Sequence, residues 1–276
     1  MNSGKALRMR RIVHQESRTT VMFAFSHGTS SPEVIDGLDG PSDKIAAART
    51  GGADCVFLAP GLIESELDVL AASGEMGVVA KITATASRGG VPHQERQIAS
   101  VEHCAAIGAD GVVALVPFAP DNEPDVISLM GGLGEACARL GLPLVAEAEY
   151  PNAYYGSDED YTTAWGLPYL RRSARLCAEL GADIIKSNWP GSPDALAEIV
   201  GCVSVPVVVA GGSRESDLAL LERLAAARKA GAIGCSVGRN IFQHPEPQRI
   251  TAAIVAVVRG EMNPQEAAQH HLEAQE

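Results

Sequence analysis

The chain is poor in lysine, with five in 276 residues, and it lacks the patterns that mark several classes of protein. No stretch is apolar for long enough to span a membrane, so a membrane protein is not expected. The basic opening "MNSGKALRMRRIVHQESRTT" has no apolar run behind it and does not read as a signal peptide. The six cysteines (Cys55, Cys104, Cys137, Cys177, Cys202 and Cys235) include no Cys-x-x-Cys pair. Most sit among apolar residues, which reads as reduced core thiols in a cytoplasmic protein. The seven histidines show no His-x-His or His-x-x-x-His spacing, and only His270 and His271 are close, in a polar tail. No metal is therefore expected. The net charge of −12 excludes a broad nucleic-acid surface but leaves room for a local positive pocket around an anion.

What the chain does have is a repeat. "GGADCVFLAP", "IGADGVVALVPFAP" and "LGADIIKSNWP" share one plan, and "AGAIGCSVGR" is a looser fourth copy. In each, a glycine ends an alanine- and leucine-rich helix. A continuous apolar strand follows, as in a parallel sheet covered on both faces. Eight such strands are expected near 20–26, 54–59, 77–84, 110–117, 143–150, 182–188, 205–210 and 232–237. Amphipathic helices follow, among them "ERQIASVEHCAAIG" and "ESDLALLERLAAARKAG". Eight strand–helix units with short links predict an α/β fold, a (β/α)8 TIM barrel forming one domain over 1–276. Residues 1–18 read as an N-terminal extension, 151–169 as an elaborated loop, and 262–276 as a polar helix or interaction arm.

Chemistry in such a barrel collects at the C-terminal ends of the strands. Lys186 stands there, inside the apolar "GADIIKSNWPG". A lysine in an apolar site is expected to have a lowered pKa, which favours a neutral, nucleophilic amine suited to a Schiff base. The competing reading is an ion pair with Glu147 or Glu149. Lys81 is the second strand lysine. It can pair with a carboxylate, lower the pKa of Lys186 by repulsion, or bind a substrate oxygen. Gly211, Gly212 and Ser213 end the seventh strand, and Gly238 and Arg239 end the eighth. Glycines there let backbone N–H groups approach an anion, at the usual phosphate end of the fold, and Arg239 can add a charge-assisted contact. Tyr150 closes the fifth strand as a candidate acid or base, with packing under a loop as the alternative. His27, beside Ser26 at the end of the first strand, can serve as either a reactive or a capping residue.

The order "SHG", "EYP", "GADIIKSNWPG", "VAGGS" and "SVGRNIFQ" resembles the class I, Schiff-base aldolases of the archaeal fructose-bisphosphate type, in the group that includes deoxyribose-phosphate aldolase. The resemblance spans about residues 5–260. "GKALRMRRIV" and "KITATAS" look most like the branch that uses aspartate semialdehyde. The resemblance implies that Lys186 forms the Schiff base and Tyr150 transfers protons. It implies that Gly211, Gly212, Ser213, Gly238 and Arg239 hold the phosphate of a small-molecule substrate. It implies no cofactor and a homo-oligomer. Joining dihydroxyacetone phosphate to aspartate semialdehyde is the preferred reaction, ahead of fructose-bisphosphate cleavage or aminodideoxyheptulosonate synthesis. Two departures stand out. The family's Asp-His-Gly is here Ser26-His27-Gly28, so a proton relay must pass to His27, Glu147 or Glu149, or be missing. If it is missing, the barrel is a non-catalytic sugar-phosphate binder. The aromatic and arginine that flank the family tyrosine in the fructose-bisphosphate enzymes are here Ala148 and Asn152.

Overall fold

The repeat explains how the barrel is stapled together. Its glycines, Gly52, Gly108 and Gly181, and Gly231 in the looser copy, have φ of +91°, +90°, +97° and +98°. Helices end there because only glycine enters that left-handed region without strain. The aspartate two residues on then reaches sideways to a neighbouring strand. Asp54 accepts from the Val21 N–H at 2.7 Å, Asp110 from Val78 at 2.9 Å and Asp183 from Leu144 at 2.9 Å. Each of these carboxylates also meets a cation: Arg259 at 3.1 Å, Arg11 at 2.9 Å and Lys5 at 2.6 Å, respectively. The looser copy has Ile233 in place of the aspartate.

The computed structural model describes residues 2–31, 34–72, 76–85, 95–118, 122–151 and 165–273. Its strands are β1 (Thr20–Ala24), β2 (Cys55–Leu58), β3 (Gly77–Lys81), β4 (Thr83–Thr85), β5 (Glu95–Gln97), β6 (Gly111–Leu115), β7 (Leu144–Ala148), β8 (Ile184–Ser187), β9 (Val207–Ala210) and β10 (Gly234–Val237). Eight of them close a barrel in the order β1, β10, β9, β8, β7, β6, β3, β2, all pairs parallel. This is the (β/α)8 architecture, with its strands within a few residues of the expected positions. Among the described residues, no helix is long and apolar enough to cross a membrane.

The side-chain period of two divides the core. Met22, Phe57, Val79, Val113, Val145 and Val208 fill the barrel interior. The alternate residues, such as Val21, Phe23, Val56, Leu58 and Val112, pack outward with the helices. Helix Ser3–Ile12 turns the N-terminal extension into a plug at the strands' N-terminal end, with Ile12 fully buried in the inner cluster.

Three expectations need correction. The third strand breaks after Lys81, and β4 folds away as an antiparallel hairpin with β5. "ERQIASVEHCAAIG" is therefore not one helix: Glu95–Gln97 is strand, and helix Val101–Ala106 starts only after Ser100, whose hydroxyl accepts from the His103 N–H at 3.1 Å. The tail needs no correction: of its two readings the helix is found, over Pro264–His271, opened by a capping box between Asn263 and Glu266. Of the loop expected at 151–169, residues 152–164 lie outside the described residues, as does Ser87, and 166–169 begin helix Gly166–Glu179.

Candidate active site

Strand register sets Lys186 of β8 directly beside Glu147 of β7, and equal parity points both into the barrel. Lys81 reaches the same carboxylate from β3, two strands away. Lys186 Nζ lies 2.7 Å from Glu147 Oε1 and 2.9 Å from Glu149 Oε1, while Lys81 pairs with Glu147 Oε2. Lys81, Glu147, Lys186 and Glu149 thus form a buried chain of alternating charge with no net charge. Lys81 is fully buried, and the other three are 5–8% exposed. Isolated ions at this depth would each cost several kcal/mol, which the chain offsets by pairing every member.

This arrangement overturns the expected lowering of the Lys186 pKa. Burial pulls it down, but the carboxylates of Glu147 and Glu149 together outweigh burial and raise it above the ordinary lysine value. Burial likewise pushes Glu147 up, and Lys186 and Lys81 outweigh it, holding Glu147 well below the usual carboxylate range. Lys186 is therefore an ammonium in the free enzyme and must lose a proton before it can act as a nucleophile.

Facing the ammonium is a wall of turns. Gly211 and Gly212 follow β9, and Gly238 and Arg239 follow β10. Gly212 has φ +67°. At Gly238 a Cβ would collide with the His27 ring and stand 2.7 Å from the Ala24 carbonyl oxygen, so only glycine lets β1 and β10 approach this closely. Asn240 and Arg223 hold the β9 turn from behind. Asn240 Nδ2 donates to the carbonyls of Gly211 and Ser213 at 3.0 and 3.1 Å, and its Oδ1 accepts from the Glu215 N–H at 3.1 Å. Arg223 donates to the Ala210 and Gly211 carbonyls at 3.1 and 2.7 Å and pairs with Glu215. His27 packs edge-on to Phe242, with ring centroids 5.1 Å apart. Burial, then the Lys186 and Arg239 charges, push its pKa down to about 3, so the imidazole is neutral near pH 7.

Lys186, Glu149, His27, Gly211, Gly212, Gly238 and Arg239 line one cavity at the C-terminal end of the barrel. Glu147 and Lys81 are not on its wall. Ser26 is buried behind it, its carbonyl accepting from the Thr29 N–H at 3.1 Å and hydroxyl at 2.9 Å. Ser213 is exposed at the rim of the β9 turn. Tyr150 has the opposite parity to Glu147 and Glu149. It belongs to the outer core, its ring 5.8 Å from that of Tyr169 on helix Gly166–Glu179. Its N–H donates to the Asn188 side chain at 2.8 Å.

Sequence reasoning gave no role to four contributors. Asn188 lines the cavity two residues after Lys186, and Ser236 two residues before Gly238. The parity of each was the available signal. The Ser236 hydroxyl is buried with no hydrogen-bond partner among the described residues. Asn240 sits in the quoted "SVGRNIFQ", but its hold on the β9 turn is a tertiary contact. Arg223 lies in a helix pattern that carries no such signal.

Comparison with known proteins adds the family. Residues 20–244 match the model described as DeoC/LacD family aldolase. The chain is 32% identical over 266 residues to the 2-amino-3,7-dideoxy-D-threo-hept-6-ulosonate synthase of Halobacterium salinarum, covering 96% of each protein. It is 36% identical over 157 residues to the 2-amino-4,5-dihydroxy-6-oxo-7-(phosphonooxy)heptanoate synthase of Streptomyces griseus, covering 56% of this chain and 55% of that protein. An archaeal fructose-1,6-bisphosphate aldolase, solved with its catalytic lysine bound to a carbinolamine intermediate, superposes with a TM-score of 0.80. That match covers 93% of this chain and all of the other at 22% identity, a likeness of fold.

Proposed function

The chain belongs to the DeoC/LacD family of aldolases and is a Schiff-base-forming enzyme, and from that premise we propose that Lys186 binds dihydroxyacetone phosphate as an imine and adds it to L-aspartate 4-semialdehyde. The observation that carries the reading is one cavity holding both the ammonium of Lys186 and the turns of Gly211, Gly212, Gly238 and Arg239. A ketone carrying a phosphate needs both: an amine at its carbonyl carbon, and donors with positive charge at its other end. Lys186 attacks the ketone, water leaves, and the iminium draws electrons from the neighbouring carbon. That carbon loses a proton, the resulting enamine attacks the aldehyde, and hydrolysis frees the product and the lysine.

The choice of substrates rests on the relatives' names. The Streptomyces griseus product has seven carbons, a 2-amino group, hydroxyls at C4 and C5, a ketone at C6 and a phosphate at C7. An aldol bond between C4 and C5 divides it into dihydroxyacetone phosphate (C5 to C7) and 2-amino-4-oxobutanoate (C1 to C4), which is aspartate semialdehyde. A second reading comes from the longer match: the Halobacterium salinarum product is deoxy at C7. Its C5 to C7 unit carries no terminal phosphate, whereas an arginine-bearing anion cradle beside the lysine suits a donor that keeps one. Family membership favours an active enzyme over a non-catalytic binder. The six free cysteines favour a reducing compartment such as the cytoplasm, and the homo-oligomer is proposed on the family resemblance alone.

The test adds dihydroxyacetone phosphate and borohydride to the enzyme. The reduced donor adds its mass to the peptide bearing Lys186, Lys186→Arg abolishes labelling because guanidinium stays protonated, and Lys81 is unmodified. Labelling at Lys81, or none on folded, donor-saturated enzyme, refutes the assignment. Mass spectrometry of the product formed with aspartate semialdehyde decides whether the phosphate is retained, and retro-aldol assay with fructose bisphosphate measures the remaining alternative.

A further inference from the structure

One side chain ties together the two turns that face Lys186. Asn240 is buried, stands on helix Arg239–Phe242 directly after Arg239, and is not on the cavity wall. Its amide nevertheless governs the turn after β9. Nδ2 donates to the Gly211 carbonyl at 3.0 Å and to the Ser213 carbonyl at 3.1 Å, and Oδ1 accepts from the Glu215 N–H at 3.1 Å. A backbone N–H can only donate and a carbonyl only accept, so these three bonds fix which way the amide faces. A trans peptide sets its N–H opposite its C=O, and among the described residues no peptide bond is cis. Drawing the Gly211 carbonyl back towards Asn240 therefore aims the Gly212 N–H the other way, and Gly212 lines the cavity. Arg223 of helix Asp217–Lys229 shares the Gly211 carbonyl at 2.7 Å. Its described partners, the Ala210 and Gly211 carbonyls and Glu215, all belong to the β9 turn.

Resting on the reading of Gly211, Gly212, Gly238 and Arg239 as the phosphate cradle, we propose that Asn240 is the positioning residue that gives the enzyme its preference for a phosphorylated ketone over the same ketone without phosphate. Its backbone continues the turn that carries Arg239, and its side chain holds the turn that carries Gly212. One residue thus sets the separation between a backbone donor and a guanidinium charge. An oxyanion bound by both needs them at one spacing, because hydrogen bonds weaken steeply as distance and angle depart from the optimum. A neutral hydroxymethyl group in the same place offers Arg239 no charge and gains far less from that spacing. The side-chain bonds of Asn240 run to the segment Gly211–Glu215, whereas Lys186 is held by Glu147 and Glu149 on β7 and just beyond it. Loss of the amide therefore acts on the phosphate end of the donor and not on the amine.

Borohydride trapping at Lys186 is measured against the concentration of dihydroxyacetone phosphate and, separately, of dihydroxyacetone. Asn240→Asp keeps the shape of the side chain and an acceptor for the Glu215 N–H but loses the amide donors, and Asn240→Ala loses all three bonds. In both variants the half-saturating concentration of dihydroxyacetone phosphate should rise by about 10-fold or more. That of dihydroxyacetone should rise by far less, so the preference for the phosphorylated donor shrinks. The loss should lie in half-saturation rather than in the trapping rate at saturation. A merely structural residue would weaken both donors alike. Equal losses for the two donors, or unchanged affinity for dihydroxyacetone phosphate in both variants, overturn the proposal. Failure of the underlying reading looks different: the wild-type enzyme would then give no adduct at Lys186, or would show no preference for the phosphorylated donor.

Discussion

Replacing Lys81 by methionine keeps most of the side-chain volume and removes one charge from a chain of four that sums to zero. Glu147, Lys186 and Glu149 then carry a net negative charge at a depth where Lys81 itself is fully buried. Breaking a buried pair by removing one partner costs about 3–5 kcal/mol. Each kcal/mol lowers the melting temperature of a chain of this size by about 2 °C, so Lys81→Met should lower it by about 6–10 °C. Glu147→Gln should cost a similar amount, because it leaves Lys81 without its counter-charge. The double substitution restores neutrality: the introduced amide is uncharged, and Lys186 keeps Glu149 as its partner. It should therefore be more stable than the sum of the two changes predicts, by a coupling of about 1.5–3 kcal/mol. Urea titrations of the wild type, both single variants and the double variant measure this directly, with equal denaturant slopes as the condition for comparing midpoints. Additivity within about 0.5 kcal/mol would refute the reasoning, since it would mean that Lys81 and Glu147 act as independent polar groups rather than as links in one electroneutral chain.

Arg239→Ala should weaken binding of the phosphorylated donor by about 1.5–3 kcal/mol, roughly 10- to 150-fold, as read by calorimetric titration; unchanged affinity would place the phosphate elsewhere. His27 makes a statement about acid stability. Its imidazole takes a proton near 6.5 when unfolded and only at about 3 when folded, so between these values the unfolded chain binds more protons. The contribution of His27 is complete above pH 6.5 and is lost as pH falls through this window. Melting curves from pH 4 to 7 should therefore rise less steeply with pH in His27→Asn than in the wild type, and equal slopes would show that the ring is not held neutral by its surroundings.

The architecture was legible because the repeat carries it. A glycine at a helix end and an apolar run after it are local features; the repeat marks four barrel strands, and apolar runs alone mark the other four. The site was legible as positions but not as physics. Lys186 stood out as a charge in an apolar strand, yet its protonation depends on Glu147, brought alongside by register, and Glu149, one step further on the same face. Sequence separation hides both contacts, and desolvation alone gives the wrong sign. Tyr150 is marked by the resemblance, and strand parity adds only that its ring packs among the outer-core side chains. The break after Lys81 was missed because 77–84 is uniformly strand-like, and only pairing with Glu95–Gln97 reveals that β4 has left the barrel. Asn240 acts through a turn that is distant in sequence, so no periodicity announces it.

The aspartates at the lower rim impose an order on synthesis. Lys5 is made 178 residues before its partner Asp183. At roughly 5–20 residues per second a ribosome takes on the order of ten to forty seconds to cover that distance. Arg11 finds Asp110 sooner, and Asp54 waits longest, until Arg259 emerges. The plug helix therefore waits for the strands that bury Ile12 to be made, and the rim closes in sequence behind the growing chain. Shortening the chain by the first turn of that helix would then be felt in the yield of folded protein, at the end of the barrel opposite the cavity, before it was felt in turnover.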